Sequence, residues 1–94
     1  MNGLASKITP RASVIHAFVG GEAVLLDVES GLYFGLDEVG ARIWQLLVVG
    51  ATEDSIVDQL LEEYEVERAQ LRTDVTSFLT ALATKGLIDG SLAR

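Results

Sequence analysis

The chain has 94 residues, enough for one small domain, and its 14 acidic and 7 basic residues give a net charge of −7. This charge argues against a nucleic-acid-binding protein, which normally presents a basic face to phosphates. The absence of cysteine excludes disulfides, thiolate catalysis and cysteine-ligated zinc, and the single histidine, His16, leaves few metal or acid–base sites. The composition therefore favours a small acidic binding module over an enzyme.

No segment of the sequence has the pattern of a targeting signal or a membrane span. Residues 1–9 carry one lysine and no apolar core, so we expect no secretory signal. The longest apolar runs, such as Ala23–Leu26 and Leu46–Val49, are far shorter than the roughly 20 residues of a spanning helix. We therefore expect a folded cytoplasmic protein without a membrane partner, in which residues 1–13, including the single proline Pro10, form an N-terminal arm.

Three strands are predicted to follow the arm. Val14–Val19 is rich in β-branched and aromatic residues, as strands are. Gly20-Gly21 is a two-residue hairpin signal that leads into a second strand at Glu22–Val28. The third strand is predicted at Leu32–Leu36, so that the three strands form an antiparallel sheet.

The register of the second and third strands decides which face of the sheet is buried. A two-residue loop would place Leu26 opposite Gly35, whereas a three-residue loop, Glu29-Ser30-Gly31, places Leu26 opposite Phe34. We choose the three-residue loop because it collects apolar residues on one face. The predicted core face is Ile15, Ala17, Val19, Val24, Leu26, Val28, Leu32, Phe34 and Leu36. The opposite face, either covered by other elements or available to a partner, is His16, Phe18, Ala23, Leu25, Asp27, Tyr33 and Gly35.

Three helices are predicted next, because the apolar period changes from two to about 3.6. Asp37 is expected to cap a helix that runs to about Val49, and Thr52 to cap a second one. A third helix is expected over about Glu67–Lys85, with Gly86 ending it. The expected buried stripes are Val39, Ile43, Leu46 and Leu47 beside Trp44; then Ile56, Val57, Leu60, Leu61 and Tyr64; then Leu71, Val75, Phe78, Leu79 and Leu82.

The predicted order is therefore β-β-β-α-α-α. This is an α+β domain of the winged helix-turn-helix-like class, a three-stranded antiparallel sheet followed by three helices. We place the domain at residues 14–88 and a C-terminal tail at residues 89–94, with Leu87 and Ile88 folding back onto the core.

The sequence offers little for catalysis. Seven acidic residues and no base lie between Glu53 and Glu67, a pattern more typical of a solvated helix face than of paired catalytic carboxylates. His16 has no second histidine or cysteine with which to share a metal, and Trp44 is expected in the core. The sequence contains no phosphate-binding loop and no nucleophile elbow. We therefore predict no catalytic residue, no metal and no cofactor.

Two binding functions remain. A winged helix normally reads DNA with its last helix, but here that helix offers only Arg68, Arg72 and Lys85, and the acidic run would face the phosphates. Alternatively, the outer strand of the sheet could accept a peptide as an added strand, with the third helix as the wall of the groove. The pattern alone leaves open whether this strand is instead an ordinary edge or pairs two copies of the chain, so the oligomeric state stays open too.

The segment Glu22–Leu47, EAVLLDVESGLYFGLDEVGARIWQLL, resembles the core of the PqqD family, named for pyrroloquinoline quinone biosynthesis protein D. The resemblance continues through GATEDSIVDQLLEEYEV and LRTDVTSFLTALATKGLI and covers residues 14–88. Its elements are D-x-x-x-G-x-Y/F before the first helix, L-D/N-x-V-G-x-x-I/V-W within it, and a closing G-L-I/V. Each element is loose, and their order and spacing together are fairly specific.

The resemblance implies a winged-helix-like fold without catalytic activity, the stand-alone form of the RiPP recognition element. Such a protein binds the leader of a ribosomally made precursor peptide as an added strand and presents it to tailoring enzymes. By carry-over, the strand side of the site is Leu32, Tyr33, Phe34, Gly35 and Leu36, and the helix side is Leu71, Arg72, Asp74, Val75 and Phe78.

Within the family, the sequence is most similar to the recognition proteins of lasso-peptide clusters. The resemblance then implies a leader peptidase and a cyclase as partner enzymes. The alternative is a member of the pyrroloquinoline quinone type, which works with a radical maturation enzyme. Neither type implies a nucleic-acid partner.

Overall fold

In the computed structural model, which describes residues 8–90, two small sheets and three helices form the domain. The strands are β1 (Ile8–Pro10), β2 (Val14–Val19), β3 (Glu22–Asp27), β4 (Leu32–Leu36) and β5 (Ile88–Gly90). The helices are α1 (Glu38–Val48), α2 (Glu53–Glu63) and α3 (Arg68–Thr84). One antiparallel sheet has the order β2-β3-β4, and β1 pairs with β5 in the other. The predicted α+β class, a three-stranded antiparallel sheet followed by three helices, is confirmed.

The first hairpin forms as its sequence predicts. Val19 pairs with Glu22 across Gly20-Gly21, and the two glycines have φ of 59° and 87°. Residues with side chains rarely adopt these left-handed values, so the glycine pair fixes the two-residue turn.

The predicted register between β3 and β4 is wrong. Asp27 pairs with Leu32 and Leu25 with Phe34, so the loop has four residues, Val28–Gly31, instead of three. The turn is closed locally: the carboxylate of Asp27 accepts from the backbone N–H of Glu29 at 3.1 Å and from the hydroxyl of Ser30 at 3.2 Å. These contacts within the turn, with Gly31 at φ 76°, decide the loop length.

The change of register inverts the predicted core face in β2 and β3, because a one-residue slip turns every side chain over. Leu25 and Ala23 are buried, whereas Ile15 is 55% exposed and Val24 is 43% exposed. In β4, Leu36 is buried and Phe34 half-buried as expected, but Leu32 at the start of the strand is exposed. The outer face of this sheet is therefore largely apolar. Its exposed large residues are Ile15, Val19, Val24 and Tyr33.

The helices begin at the predicted caps. The carboxylate of Asp37 accepts from the N–H of Gly40 at 2.8 Å, and Thr52 forms a reciprocal capping box with Ser55. α3 begins one residue after the predicted start. Most residues of the predicted buried stripes lie in the core, whereas Val39 is exposed. Their fully buried members are Ile43, Trp44 and Leu47; Ile56, Val57 and Leu60; and Leu71, Val75, Leu79 and Leu82.

The three-residue strands β1 and β5 were not predicted from the sequence. Pro10 pairs with Ile88, and the N–H of Arg11 donates to the carbonyl of Leu87 at 2.9 Å. Ile8 is buried, so the predicted arm contributes to the core, and Leu87 and Ile88 are buried against the core as predicted. The domain boundaries at residues 14 and 88 stay a prediction. Residues 1–7 of the predicted arm and 91–94 of the predicted tail lie outside the described residues.

Trp44 lies fully buried at the centre of the core, as predicted, and its one polar atom has a partner. The indole N–H donates to Nδ1 of His16 at 3.1 Å, and the two rings meet edge to face. His16 therefore has a structural role, because it satisfies a donor that the core would otherwise leave unpaired.

We expect His16→Phe to lower the free energy of unfolding by about 1 kcal/mol, since the ring stays but the acceptor for the Trp44 N–H is lost. His16→Gln keeps an acceptor and is the matched control, expected to lose less. Urea unfolding followed by tryptophan fluorescence measures both variants. Equal stability of His16→Phe and the wild type would show that the hydrogen bond contributes nothing.

An ion pair joins α1 to α2. The guanidinium of Arg42 donates to both carboxylate oxygens of Glu63, at 3.0 Å from Nε and 2.7 Å from Nη2. This hydrogen bonding holds the pKa of Glu63 below its ordinary value of 4.5. The pair is partly exposed, so its contribution is about 0.5–1 kcal/mol.

Because the pKa of Glu63 is lowered by folding, the stabilisation is present at neutral pH and is lost as the pH falls below 4.5 and through the folded-state pKa. Glu63→Gln removes this contribution, so the stability difference between wild type and variant is expected to shrink as the pH falls below 4.5. Glu62→Gln, the neighbouring exposed acid, is the control. A stability difference for Glu63→Gln that does not change with pH would contradict the assignment.

Candidate functional site

β4 is one of the two outer strands of the three-stranded sheet, and among residues 8–90 no strand pairs with its second edge. The strand is five residues long, and Tyr33 and Gly35 lie exposed on it. Outward-pointing N–H and C=O groups of such an edge are free to bind an extended chain.

A cleft separates β4 from the C-terminal half of α3, and we call it the strand cleft. Its volume is about 420 Å³, and its floor and walls are mostly apolar. The lining residues from the strand are Tyr33, Phe34, Gly35 and Leu36, and those from the other side are Phe78, Ala81, Leu82, Lys85 and Leu87. An added strand on β4 would therefore place alternate side chains against α3.

A second cavity, the helix pocket, lies next to the strand cleft between the start of α1 and the N-terminal half of α3. It has a volume of about 280 Å³, and two carboxylates stand among its apolar residues. Its lining residues are Asp37, Val39, Gly40, Ile43, Tyr64, Val66, Leu71, Asp74, Val75 and Phe78. Phe78 lines both cavities, so the pocket and the cleft adjoin at this residue.

The contact between Gly40 and Phe78 fixes the junction of the two cavities. A Cβ on Gly40 would lie 3.2 Å from two atoms of the Phe78 ring and 3.3 Å from the Asp37 carboxylate. Ordinary carbon–carbon contacts are at about 3.5–4.0 Å, so a side chain here would require the Phe78 ring to shift by a few tenths of an ångström. The glycine of the L-D-x-V-G pattern thus shapes the site as well as the helix.

The structure brings eight of the ten predicted site residues to the two cavities. Leu32 lies on the same strand but lines neither of them and is exposed. Arg72 points to α2, where Nη2 lies 2.5 Å from Asp54 and Nη1 lies 3.5 Å from Glu53. The eight are Tyr33, Phe34, Gly35 and Leu36 with Leu71, Asp74, Val75 and Phe78.

Several lining residues were missed by the sequence analysis. Ala81 and Lys85 follow Phe78 by three and seven residues, a helical spacing that places them on the same face and could have identified them. Val66, Tyr64 and Leu87 belong to the site only because two loops return to it, and no local pattern carries that information.

The acidic run is more than a solvated face. Glu53 is buried, and acidic residues of α2 form ion pairs with arginines of α1 and α3. On α3, Arg68 binds Asp58 at 2.6 Å and Arg72 binds Asp54. Two of the three basic residues that a DNA-reading helix could use are therefore already neutralised within the domain.

Residues 8–90 contain neither a metal-binding cluster nor a membrane-spanning helix. No group of three or more His, Cys, Asp or Glu side chains is placed to hold a metal ion. No helix in this part of the chain is long and apolar enough to cross a membrane.

Comparison with known sequences identifies a family and a curated relative. Residues 22–88 match the family described as Coenzyme PQQ synthesis protein D (PqqD). The PqqA binding protein of Rhodopseudomonas palustris (strain BisB5) is 36% identical over 52 residues, which make up 55% of this chain and 51% of that protein. The chain thus spans about half the length of this curated relative.

Two solved structures have the same fold. One is TbiB1 in complex with the TbiA(beta) leader peptide, with 42% sequence identity and a TM-score of 0.87 over 90% of this chain and 99% of that one. The other is lasso peptide synthetase B1 complexed with the leader peptide, with 32% identity and a TM-score of 0.80 over 87% of this chain and 96% of that one.

We expect Gly40→Ala to destabilise the protein by about 1 kcal/mol, because the added methyl group overpacks against the Phe78 ring. In a Phe78→Ala background the same change should be neutral or stabilising, because alanine favours a helix by about 1 kcal/mol over glycine. Denaturant unfolding of the four proteins gives the coupling between the two positions. An identical effect of Gly40→Ala in both backgrounds would mean that the contact is not a packing constraint.

Proposed function

The chain belongs to the PqqD family, and from this we propose that it binds the leader segment of a ribosomally synthesised precursor peptide and presents it to maturation enzymes. The peptide binds as a strand added to β4, beside α3. The observation that carries the proposal is the unpaired edge of β4, which faces an apolar cleft in a fold shared with two proteins solved with leader peptides.

The two parts of the site have different roles in this proposal. The backbone of β4 provides hydrogen bonds that any extended peptide can use, so this edge contributes affinity with little selectivity. The helix pocket provides selectivity, because its size and apolar walls suit one large apolar side chain of the peptide. The peptide-binding residues are Tyr33, Phe34, Gly35 and Leu36 with Leu71, Asp74, Val75 and Phe78; Leu32 contributes backbone only, and Arg72 holds α2 against α3.

The partner enzymes are a leader peptidase and a cyclase of the lasso-peptide type. Support comes from the two solved structures with the same fold. Lasso peptide synthetase B1 matches over 96% of its length and TbiB1 over 99%, and each was solved in complex with a leader peptide. A radical maturation enzyme is the alternative partner. In either case the chain has no catalytic step of its own, and a cytoplasmic location remains a prediction.

We expect a synthetic leader peptide from the precursor gene beside this gene to bind with a Kd in the micromolar range or below. Phe78→Asp should weaken binding at least tenfold, because it places a charge at the junction of the strand cleft and the helix pocket. Isothermal titration calorimetry measures both proteins.

The matched control is Val49→Asp, which makes the same kind of change at an exposed position after α1, outside both cavities. It should bind like the wild type, and circular dichroism should show all three proteins folded. Failure of the wild type to bind any leader encoded nearby would overturn the proposed function. Equal weakening by both variants would overturn the location of the site.

A further inference from the structure

The basic residues of the described chain divide into two kinds. Each of the four arginines between residues 8 and 90 forms an ion pair with at least one carboxylate. Arg11 pairs with Asp89, Arg42 with Glu63, Arg68 with Asp58, and Arg72 with Glu53 and Asp54. Lys85 is the one basic residue in that range without an ion pair. Residues 1–7 and 91–94 contain no acidic side chain that could provide one.

Lys85 lies where a bound peptide would meet it. It follows the last residue of α3 and lines the strand cleft opposite β4, together with Tyr33. Carbonyl groups at the end of a helix favour a cation there, which accounts for a base at this position but not for its place in the cleft. In a chain with a net charge of −7, a lone ammonium group at the binding cleft marks a preferred place for a carboxylate.

The opposite end of the site has the opposite charge. Asp37 and Asp74 both line the helix pocket, where Asp37 caps α1 and Asp74 accepts from the side-chain amide of Gln70 at 2.9 Å. A carboxylate on the peptide would be repelled at this end and attracted at the Lys85 end. The charge distribution therefore distinguishes the two possible orientations of a bound peptide.

The length of α3 sets the spacing of the recognised residues. Val75 in the helix pocket and Lys85 are ten residues apart on the helix, about 15 Å at ~1.5 Å per residue. A strand covers that distance in four to five residues at ~3.4 Å each, and only alternate side chains face the helix. The apolar residue in the helix pocket and the acidic residue at Lys85 are therefore about four positions apart.

The direction of the peptide follows from the sheet. Phe78 lies against Gly40, just beyond the end of β4, and Lys85 faces the strand itself, so α3 runs opposite to β4. All strand pairs in the described chain are antiparallel, and antiparallel pairing is the more stable arrangement. An antiparallel guest runs in the same direction as α3, so its apolar residue precedes its acidic one.

We propose that Lys85 is a specificity-determining residue that selects a leader peptide with an aspartate or glutamate about four positions after its anchoring apolar residue. This inference rests on the proposed function, because it requires the leader to lie in the strand cleft. The ion pair is partly solvated, so its effect depends on salt concentration and is larger at low ionic strength.

The test measures fluorescence anisotropy with the full chain and a fluorescein-labelled leader from the neighbouring precursor gene. At low salt, Lys85→Gln should weaken binding about threefold and Lys85→Glu about tenfold, and both losses should shrink as NaCl is added. Arg68→Gln makes the same change in net charge outside both cavities and is expected to leave the Kd within about 1.5-fold of wild type.

A charge swap identifies the partner residue. Each acidic residue of the leader is replaced by lysine in turn, and only the one four positions after the apolar anchor should bind Lys85→Glu better than it binds the wild type. If the wild type binds the leader but Lys85→Gln matches Arg68→Gln, or if no leader variant shows the swap, the inference is wrong and the proposed function stands. If the wild type does not bind the leader at all, the proposed function fails.

Discussion

The close approach of α1 to Phe78 is the constraint on which the site depends. The backbone enters α1 directly after β4, and the Asp37 cap fixes the direction of the first turn. Gly40 then allows the Phe78 ring to lie within the space a side chain would occupy. Since α3 is held at this point, its following residues run back along the strand and form the strand cleft. One glycine thus joins the edge, the cleft and the helix pocket.

The charges of α2 serve this arrangement. Acidic residues of α2 form ion pairs with Arg42 of α1 and Arg72 of α3. The helix therefore connects the two walls of the helix pocket, although its sequence resembles a solvated acidic surface. Each pair is partly exposed and contributes modestly, but together they direct three arginine side chains away from the cleft. The strand cleft and the helix pocket are left mostly apolar, with Lys85 as the charged residue of the cleft and Asp37 and Asp74 as those of the pocket.

How much the sequence predicts depends on whether a signal is local. Capping residues and turn glycines act on residues a few positions away in the sequence. The helix starts at Asp37 and Thr52 and the turn at Gly20-Gly21 could therefore be predicted. Hydrophobic patterning could not predict the register of β3 and β4, because both faces of the sheet are apolar. The hydrogen bonds of Asp27 within the turn decide the matter, a local signal that apolar counting ignores.

The residues of the site likewise differ in whether a local sequence pattern identifies them. The stripe through Leu71, Val75 and Phe78 could be predicted from helical spacing. The ion pair between Arg72 and Asp54 of α2 could not, because it depends on how α2 packs against α3. β1 and β5, three residues each, are too short for a pattern to mark, yet their pairing brings Leu87 to the cleft.

An open edge strand is a liability, because it invites pairing with other copies of the chain. β4 limits this risk by being short and by lying beside α3, so that a second sheet edge approaching it must also fit the cleft. A single extended peptide meets no such obstacle. Backbone pairing over five residues alone would bind weakly and without selectivity, so affinity for one partner must come from side chains that fill the space around Phe78. The features that would hinder self-association of β4 are therefore the same ones that would make it selective for a peptide in the proposed function.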